Sequence, residues 1–153
     1  MKIKNLLKPD NWWILILSGV IAYMLFMIYS EPEYNKAFNF ILPGLTITFL
    51  STFISFIIAL FLGLISGIGR ISKNKFARTI SRTYIEFIRG VPVLILIFTI
   101  AFVVVVRAAE FFNINNGNVP MLVRAIIALS VFYGAYIAEV FRAGIESVPV
   151  GQR

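Results

Sequence analysis

The sequence predicts an all-α integral membrane protein of about four membrane-spanning helices, with both termini in the cytoplasm. Three observations carry that reading: the composition, four long hydrophobic runs, and an uneven distribution of Lys and Arg between the connecting segments. Of 153 residues, 59% are hydrophobic and only 14% charged, and the mean hydropathy is +0.90. A water-soluble domain carries roughly 45–50% apolar and about 25% charged residues, so this chain has too little polar surface to cover a globule in water. At about 20 residues per spanning helix, the apolar share supplies four spans with short connections.

The first run, Trp12 to Tyr29, follows Lys2, Lys4 and Lys8 in the manner of a signal peptide. It exceeds the about 7–15 residues of a signal core and lacks a small-residue cleavage site, so it reads as a retained helix with Trp12, Trp13 and Tyr29 as interfacial aromatics. The second run extends from Ile41 to Ile68, long enough that the turn around Pro43-Gly44 falls in the interface. Along it Gly44, Thr48, Thr52, Ser55, Ala59, Gly63 and Gly67 recur at steps of three or four and therefore share one helix face. In lipid, such small and hydroxylic faces allow close backbone approach and interhelical hydrogen bonds. The stripe is either a packing seam within the subunit or the wall of a translocation path.

The third run, Val91 to Val106, places Pro92 in the first helical turn, where proline is tolerated. Its β-branched stretch Val103 to Val106 is still assigned as helix, because an isolated strand cannot satisfy its backbone in a bilayer. Arg107 can snorkel outward. The fourth run, Met121 to Phe141, aligns Arg124, Ala128, Ala135, Ala138 and Arg142 along one side with Gly134 adjacent, which predicts another packing face.

Charge sets the orientation. With the N-terminus inside, the inner segments hold eleven basic residues (Lys2, Lys4, Lys8, Arg70, Lys73, Lys75, Arg78, Arg82, Arg89, Arg142 and Arg153) and the outer segments three (Lys36, Arg107 and Arg124). Basic residues gather in short cytoplasmic loops. The acidic residues divide four inside and three outside, so the whole net charge of +7 belongs to the inner side. That accounts for the basic balance without a nucleic-acid partner.

Catalytic chemistry has little to work with. The chain contains no Cys and no His, which removes disulfides, thiolate chemistry, zinc sites of the usual kind and a Ser-His-Asp triad. There is no GxxxxGK phosphate loop and no acidic pair placed for general acid/base work. The expectation is therefore no catalytic residue, no metal ligand and no enzyme activity.

The two inner segments carry the information. The segment Gly69 to Gly90 is basic and mostly polar, and closes with Tyr84-Ile85-Glu86-Phe87-Ile88-Arg89-Gly90-Val91-Pro92. The spacing of Tyr84, Phe87 and Ile88 predicts a short amphipathic interfacial helix, ended by Gly90 before Pro92 opens the next span. Arg89, Gly90 and Pro92 form a cytoplasmic elbow. In the last segment Glu139 and Arg142 are three apart on one helix face and can pair, followed by a helix exit and a Pro-Gly turn between Gly144 and Gly151.

Three blocks now carry a resemblance: Leu42-Pro43-Gly44-Leu45-Thr46-Ile47-Thr48 at the second span, Tyr84 through Pro92 before the third, and Ala135-Tyr136-Ile137-Ala138-Glu139-Val140-Phe141-Arg142-Ala143-Gly144-Ile145 with Val148-Pro149-Val150-Gly151-Gln152 at the end. In this order they resemble the permease subunit of an ATP-binding-cassette importer, in the polar amino-acid uptake branch. Many relatives carry Thr before the proline and a Gln soon after, whereas this chain has Val91 and then Val93-Leu94-Ile95-Leu96-Ile97. That departure is similar to the general amino-acid sub-branch.

The resemblance implies a multi-pass subunit of the cell membrane that pairs with a second permease subunit, identical or related. It implies two ATPase subunits beneath and an extracytoplasmic amino-acid-binding protein that delivers substrate. ATP would bind the partner ATPase, leaving this chain without a cofactor, and no residue is assigned to substrate. Gly151 and Gln152 match the entry to a coupling loop of the form EAA-x3-G. The expectation is an extra N-terminal helix with an outer loop over residues 1–40, and an incomplete permease domain over 41–153 that stops short of that loop. The competing expectation is a complete four-helix membrane protein with an interaction or assembly role and no transport activity.

Overall fold

A computed structural model of the protein describes residues 12–115 and 118–148. Among them the regular elements are α1 (Trp12–Ser30), α2 (Pro32–Ile71), α3 (Lys75–Gly90), α4 (Val93–Thr99), a π-helical turn (Ile100–Val104), α5 (Val105–Phe111) and α6 (Met121–Glu146). Four helical stretches are long and apolar enough to cross a membrane: Trp12–Ser30, Pro32–Ile71, Val93–Phe111 and Met121–Glu146. The all-α membrane architecture follows. The chain divides into two compact units, Met1–Ile47 and Thr48–Arg153.

In the first unit α1 buries none of its residues. A helix apolar on all sides has lipid or a partner as its solvent. Only Glu31 interrupts the helical path between α1 and α2, and its N–H still donates to Met27 O at 3.0 Å. Residues 32–40, expected as an outer loop, are helical. Asn39 ties this turn by donating to Asn35 Oδ1 at 2.8 Å. α2 is 40 residues long, and Pro43 lies inside it.

The second unit is organised on α6, which packs against α3, α4 and the π turn. Its core joins Ile88 of α3, Leu96 of α4, Ile100 and Ala101 of the π turn, and Val105 of α5 to Ala128, Phe132 and Ala135 of α6. α2 buries only Ser55, Ala59, Gly63 and Gly67. A Cβ on Gly63 would meet Ile137 Cγ2 at 2.6 Å, and one on Gly67 would meet Ala138 O at 2.9 Å. The two helices are thus closer at these positions than any side chain larger than hydrogen permits.

Three boundaries differ from the sequence expectation. α3 starts at Lys75, well before Tyr84, because Asn74 caps it: Asn74 Oδ1 accepts from Phe76 N–H at 2.9 Å. Its inward residues are Ile85 and Ile88 with half-buried Tyr84, while Phe87 is 63% exposed. Gly90 is the last helical residue and no glycine among the described residues has positive φ, so Gly90 does not stop α3 by a left-handed turn. Pro92 does, by forcing Val91 into extended backbone (φ −99°, ψ 140°). The third span runs past Val106 to Phe111 and is broken by the π turn, where Val105 N–H donates to Ile100 O. α5 ends at Phe111, and just beyond it the φ of 56° at Asn113 lets Ile114 N–H reach Ala109 O at 2.8 Å, a conformation that asparagine tolerates.

Candidate functional site

The charged end of the second unit is where α2 and α6 finish and where the later turns of α3 bring Glu86 and Arg89 to them. Glu139 lies in the last two turns of α6 and is only 17% exposed. Arg142, one turn further on, donates Nε to Glu139 Oε2 at 2.6 Å. The expected elbow residue Arg89, next to last in α3, brings Nη1 to 3.0 Å from Glu139 Oε1. Arg70, next to last in α2, donates to the same oxygen. One carboxylate therefore gathers guanidinium groups from three helices.

The surrounding contacts fix this geometry. Arg89 also lies over the Tyr136 ring, 5.6 Å from its centroid, within the range of a cation–π contact. Arg70 reaches Glu86 at 3.8 Å, which takes Arg82 Nε at 2.7 Å. Arg142 also donates to Glu146. Charge-assisted bonds to fork-shaped guanidiniums are directional, so the cluster is a joint between α2, α3 and α6. No nucleophile belongs to it, and among the described residues no group of acidic side chains could hold a metal ion.

One helical turn away, Tyr84 of α3 donates its hydroxyl to Val131 O at 2.6 Å. Burial pushes its phenol up to about 12. Gly134 makes room for this approach, since a Cβ there would lie 2.9 Å from the Tyr84 hydroxyl.

The seven-residue stripe of α2 divides. Ser55, Ala59, Gly63 and Gly67 face α6, and hydroxyls reinforce the contact: Ser130 Oγ donates to Ile126 O at 2.7 Å and lies 3.3 Å from Ser55 O. Gly44, Thr48 and Thr52 lie on exposed helix. Thr52 and Ser55 also line an open, mostly apolar cavity of about 410 Å³ with Phe56, Leu129, Tyr133 and Ile137. Of the elbow, only Arg89 joins the clamp. Gly90 and Pro92 shape the α3–α4 junction, and a Cβ on Gly90 would meet nothing within 4 Å. Gly151 and Gln152 lie outside the described residues.

Arg70 was not singled out by sequence reasoning. A signal existed: Arg70 stands three residues after Gly67 and so continues the α2 stripe toward α6. Ser130 was also missed, and its step of four from Ile126 gives no hint of burial.

Comparison with known proteins adds the context. The family described as "Binding-protein-dependent transport system inner membrane component" matches residues 59–153. The glutamate transport system permease protein GluD of Corynebacterium glutamicum is 36% identical over 115 residues, which cover 75% of this chain and 40% of that protein. The histidine/lysine/arginine/ornithine transport system permease protein HisQ of Escherichia coli is 32% identical over 114 residues, covering 72% and 50%. The glutamate/glutamine/aspartate/asparagine transport system permease protein BztC of Rhodobacter capsulatus is 28% identical over 146 residues, covering 88% and 32%. This chain thus spans from about a third to about half of these relatives' length. A crystal structure of an amino acid ABC transporter with histidines superposes with a TM-score of 0.64 at 30% identity, covering 78% of this chain and 52% of that one.

Proposed function

Because the chain belongs to the family of binding-protein-dependent transport system inner membrane components, we propose that it is a membrane-spanning permease component of an ATP-binding-cassette importer for polar amino acids. The matched relatives are named for substrates of opposite charge, so the reading is held at that class. The clamped end faces the cytoplasm, in keeping with the excess of Lys and Arg there. ATP is bound and hydrolysed by a separate ATPase subunit, a second permease subunit completes the pathway, and an extracytoplasmic binding protein delivers the amino acid.

The observation that carries this reading is the convergence of Arg70, Arg89 and Arg142 on Glu139. Alternating access requires helices that move as bodies, and this joint makes the ends of α2, α3 and α6 one body. Closure of an ATPase beneath them would reach the third span through α3 and the Val91-Pro92 junction. The small-residue seam keeps α2 seated on α6 during the movement.

Affinity purification of the tagged protein from its native membranes in mild detergent tests the proposal, combined with uptake of labelled amino acids in cells with and without the gene. Co-purification of an ATPase with a GxxxxGK loop and loss of uptake of at least one polar amino acid are expected. A complex without any ATPase, together with unchanged uptake across the amino-acid panel, would refute it.

A further inference from the structure

Beside the clamp, the basic end of the second unit holds an open cavity of about 390 Å³ lined by Arg70, Ile71, Arg78, Arg142 and Glu146. Three guanidiniums from α2, α3 and α6 face it. Glu146 in its wall and Glu139 behind it hold Arg70 and Arg142. Arg78 differs. Its Nε donates to Ser72 O at 2.9 Å, and among the described residues it has no carboxylate partner. Arg89 also draws on Glu139, so the guanidiniums at this end outnumber the carboxylates that hold them, and Arg78 is the one that stands exposed without a carboxylate.

The location matters as much as the charge. Two helices able to span a membrane, Pro32–Ile71 and Met121–Glu146, end at this cavity, which places it at the boundary between hydrocarbon and water. Basic pockets between spanning helices at that depth take anionic headgroups, and the planar guanidinium fork matches a phosphate oxygen pair. We propose that the Arg70–Arg78–Arg142 cavity is a binding site for a phosphate group, as carried by the headgroup of an anionic phospholipid or by free phosphate, with Arg78 as its principal ligand. The site is separate from the transport reading above and stands or falls without it.

The whole protein, delipidated in detergent and titrated with phosphatidylglycerol or phosphatidylcholine under native mass spectrometry, tests this. Phosphatidylglycerol should be retained in preference to phosphatidylcholine, and Arg78→Gln should weaken that retention about tenfold, the loss expected for one charge-assisted hydrogen bond. Arg78→Lys keeps the charge but not the fork, and should bind between the native protein and Arg78→Gln, which separates electrostatics from misfolding. Lys36→Gln, far along the sequence on α2, should change nothing. Lipid retention that survives excess inorganic phosphate assigns the site to the headgroup, and displacement by phosphate assigns it to the free anion. Equal retention by the native protein and Arg78→Gln overturns the proposal. So does an Arg78→Gln protein that loses a bound protein partner while its lipid retention stays the same.

Discussion

α2 is held to α6 in two places by two different kinds of physics. Along the middle of the helices, Ser55, Ala59, Gly63 and Gly67 form a seam whose strength is contact distance. At the end, Arg70 meets Glu139 in a cluster whose strength is charge. The seam is close-packed and tolerates no added volume. The clamp is partly wet, with Arg89 43% exposed, and its energy is tempered by solvent. The seam therefore sets where the helices sit, and the clamp couples them to α3.

Substitution in the seam should break this arrangement most severely. Gly63→Leu places a side chain where even a Cβ lies 2.6 Å from Ile137 Cγ2, and overpacking of this kind costs about 3 kcal/mol or more. Thermal unfolding in detergent should show a large drop in Tm or no folded protein. Gly44→Leu is the control within the same stripe, because a Cβ there meets nothing within 4 Å. It should shift stability by no more than about 0.5 kcal/mol, and equal damage at both positions would remove the distinction.

Next in size is the clamp. Glu139→Ala leaves three guanidiniums around an empty place, with a cost of about 1–2 kcal/mol after allowance for exposure. Its signature is salt: raising ionic strength should destabilise the native protein toward the variant, because screening acts on charges, and should leave the Gly63→Leu deficit unchanged. If salt moves both equally, the seam and the clamp are not separable.

Tyr84 sits between the two regions, and Tyr84→Phe should cost about 1 kcal/mol for the lost bond to Val131 O. Its pH dependence has a definite sign. The folded phenol is pushed up to about 12 from an ordinary value near 10, so the neutral form is favoured in the fold. The corresponding stability is fully present below about pH 10 and is lost as pH rises through about 12. Alkaline unfolding of the native protein should be steeper than that of Tyr84→Phe across this window. The smallest effect belongs to Arg82→Ala, whose partner Glu86 is 52% exposed. Surface pairs contribute about 0–1 kcal/mol, and a larger loss would mean that the clamp extends to Arg82.

Much of the fold was legible from residue spacing. The small residues of the fourth run read as a packing face and those of the second as a packing seam or a path wall; Ser55, Ala59, Gly63, Gly67, Ala128, Gly134, Ala135 and Ala138 are buried, while Gly44, Thr48 and Thr52 are exposed. Their size carries the information, because only small residues permit that proximity. The ends of elements were less legible. α3 begins at an asparagine cap that a basic, polar stretch obscured, and the π turn at Ile100–Val104 has no mark in an unbroken apolar run. Of the candidate site, the Glu139–Arg142 pair was readable as a step of three on one helix. Arg70 and Arg89 were not readable as its partners, since they lie 69 and 50 positions away in sequence from Glu139.

The sequence by itself determined the solvent of this protein, its helical class, the four stretches able to span and the faces able to pack. Each of these depends on composition or on a period of 3.6 residues, both local properties of the chain. Only the tertiary structure decided that the lower half of the α2 stripe is a seam against α6 while Thr52 stays at the edge of a cavity. It also decided which of the arginines of the second unit share Glu139 and which, like Arg78, face outward. A carboxylate attracts every cation in reach, and which cations are in reach depends on helix packing between distant segments, which local periodicity does not specify.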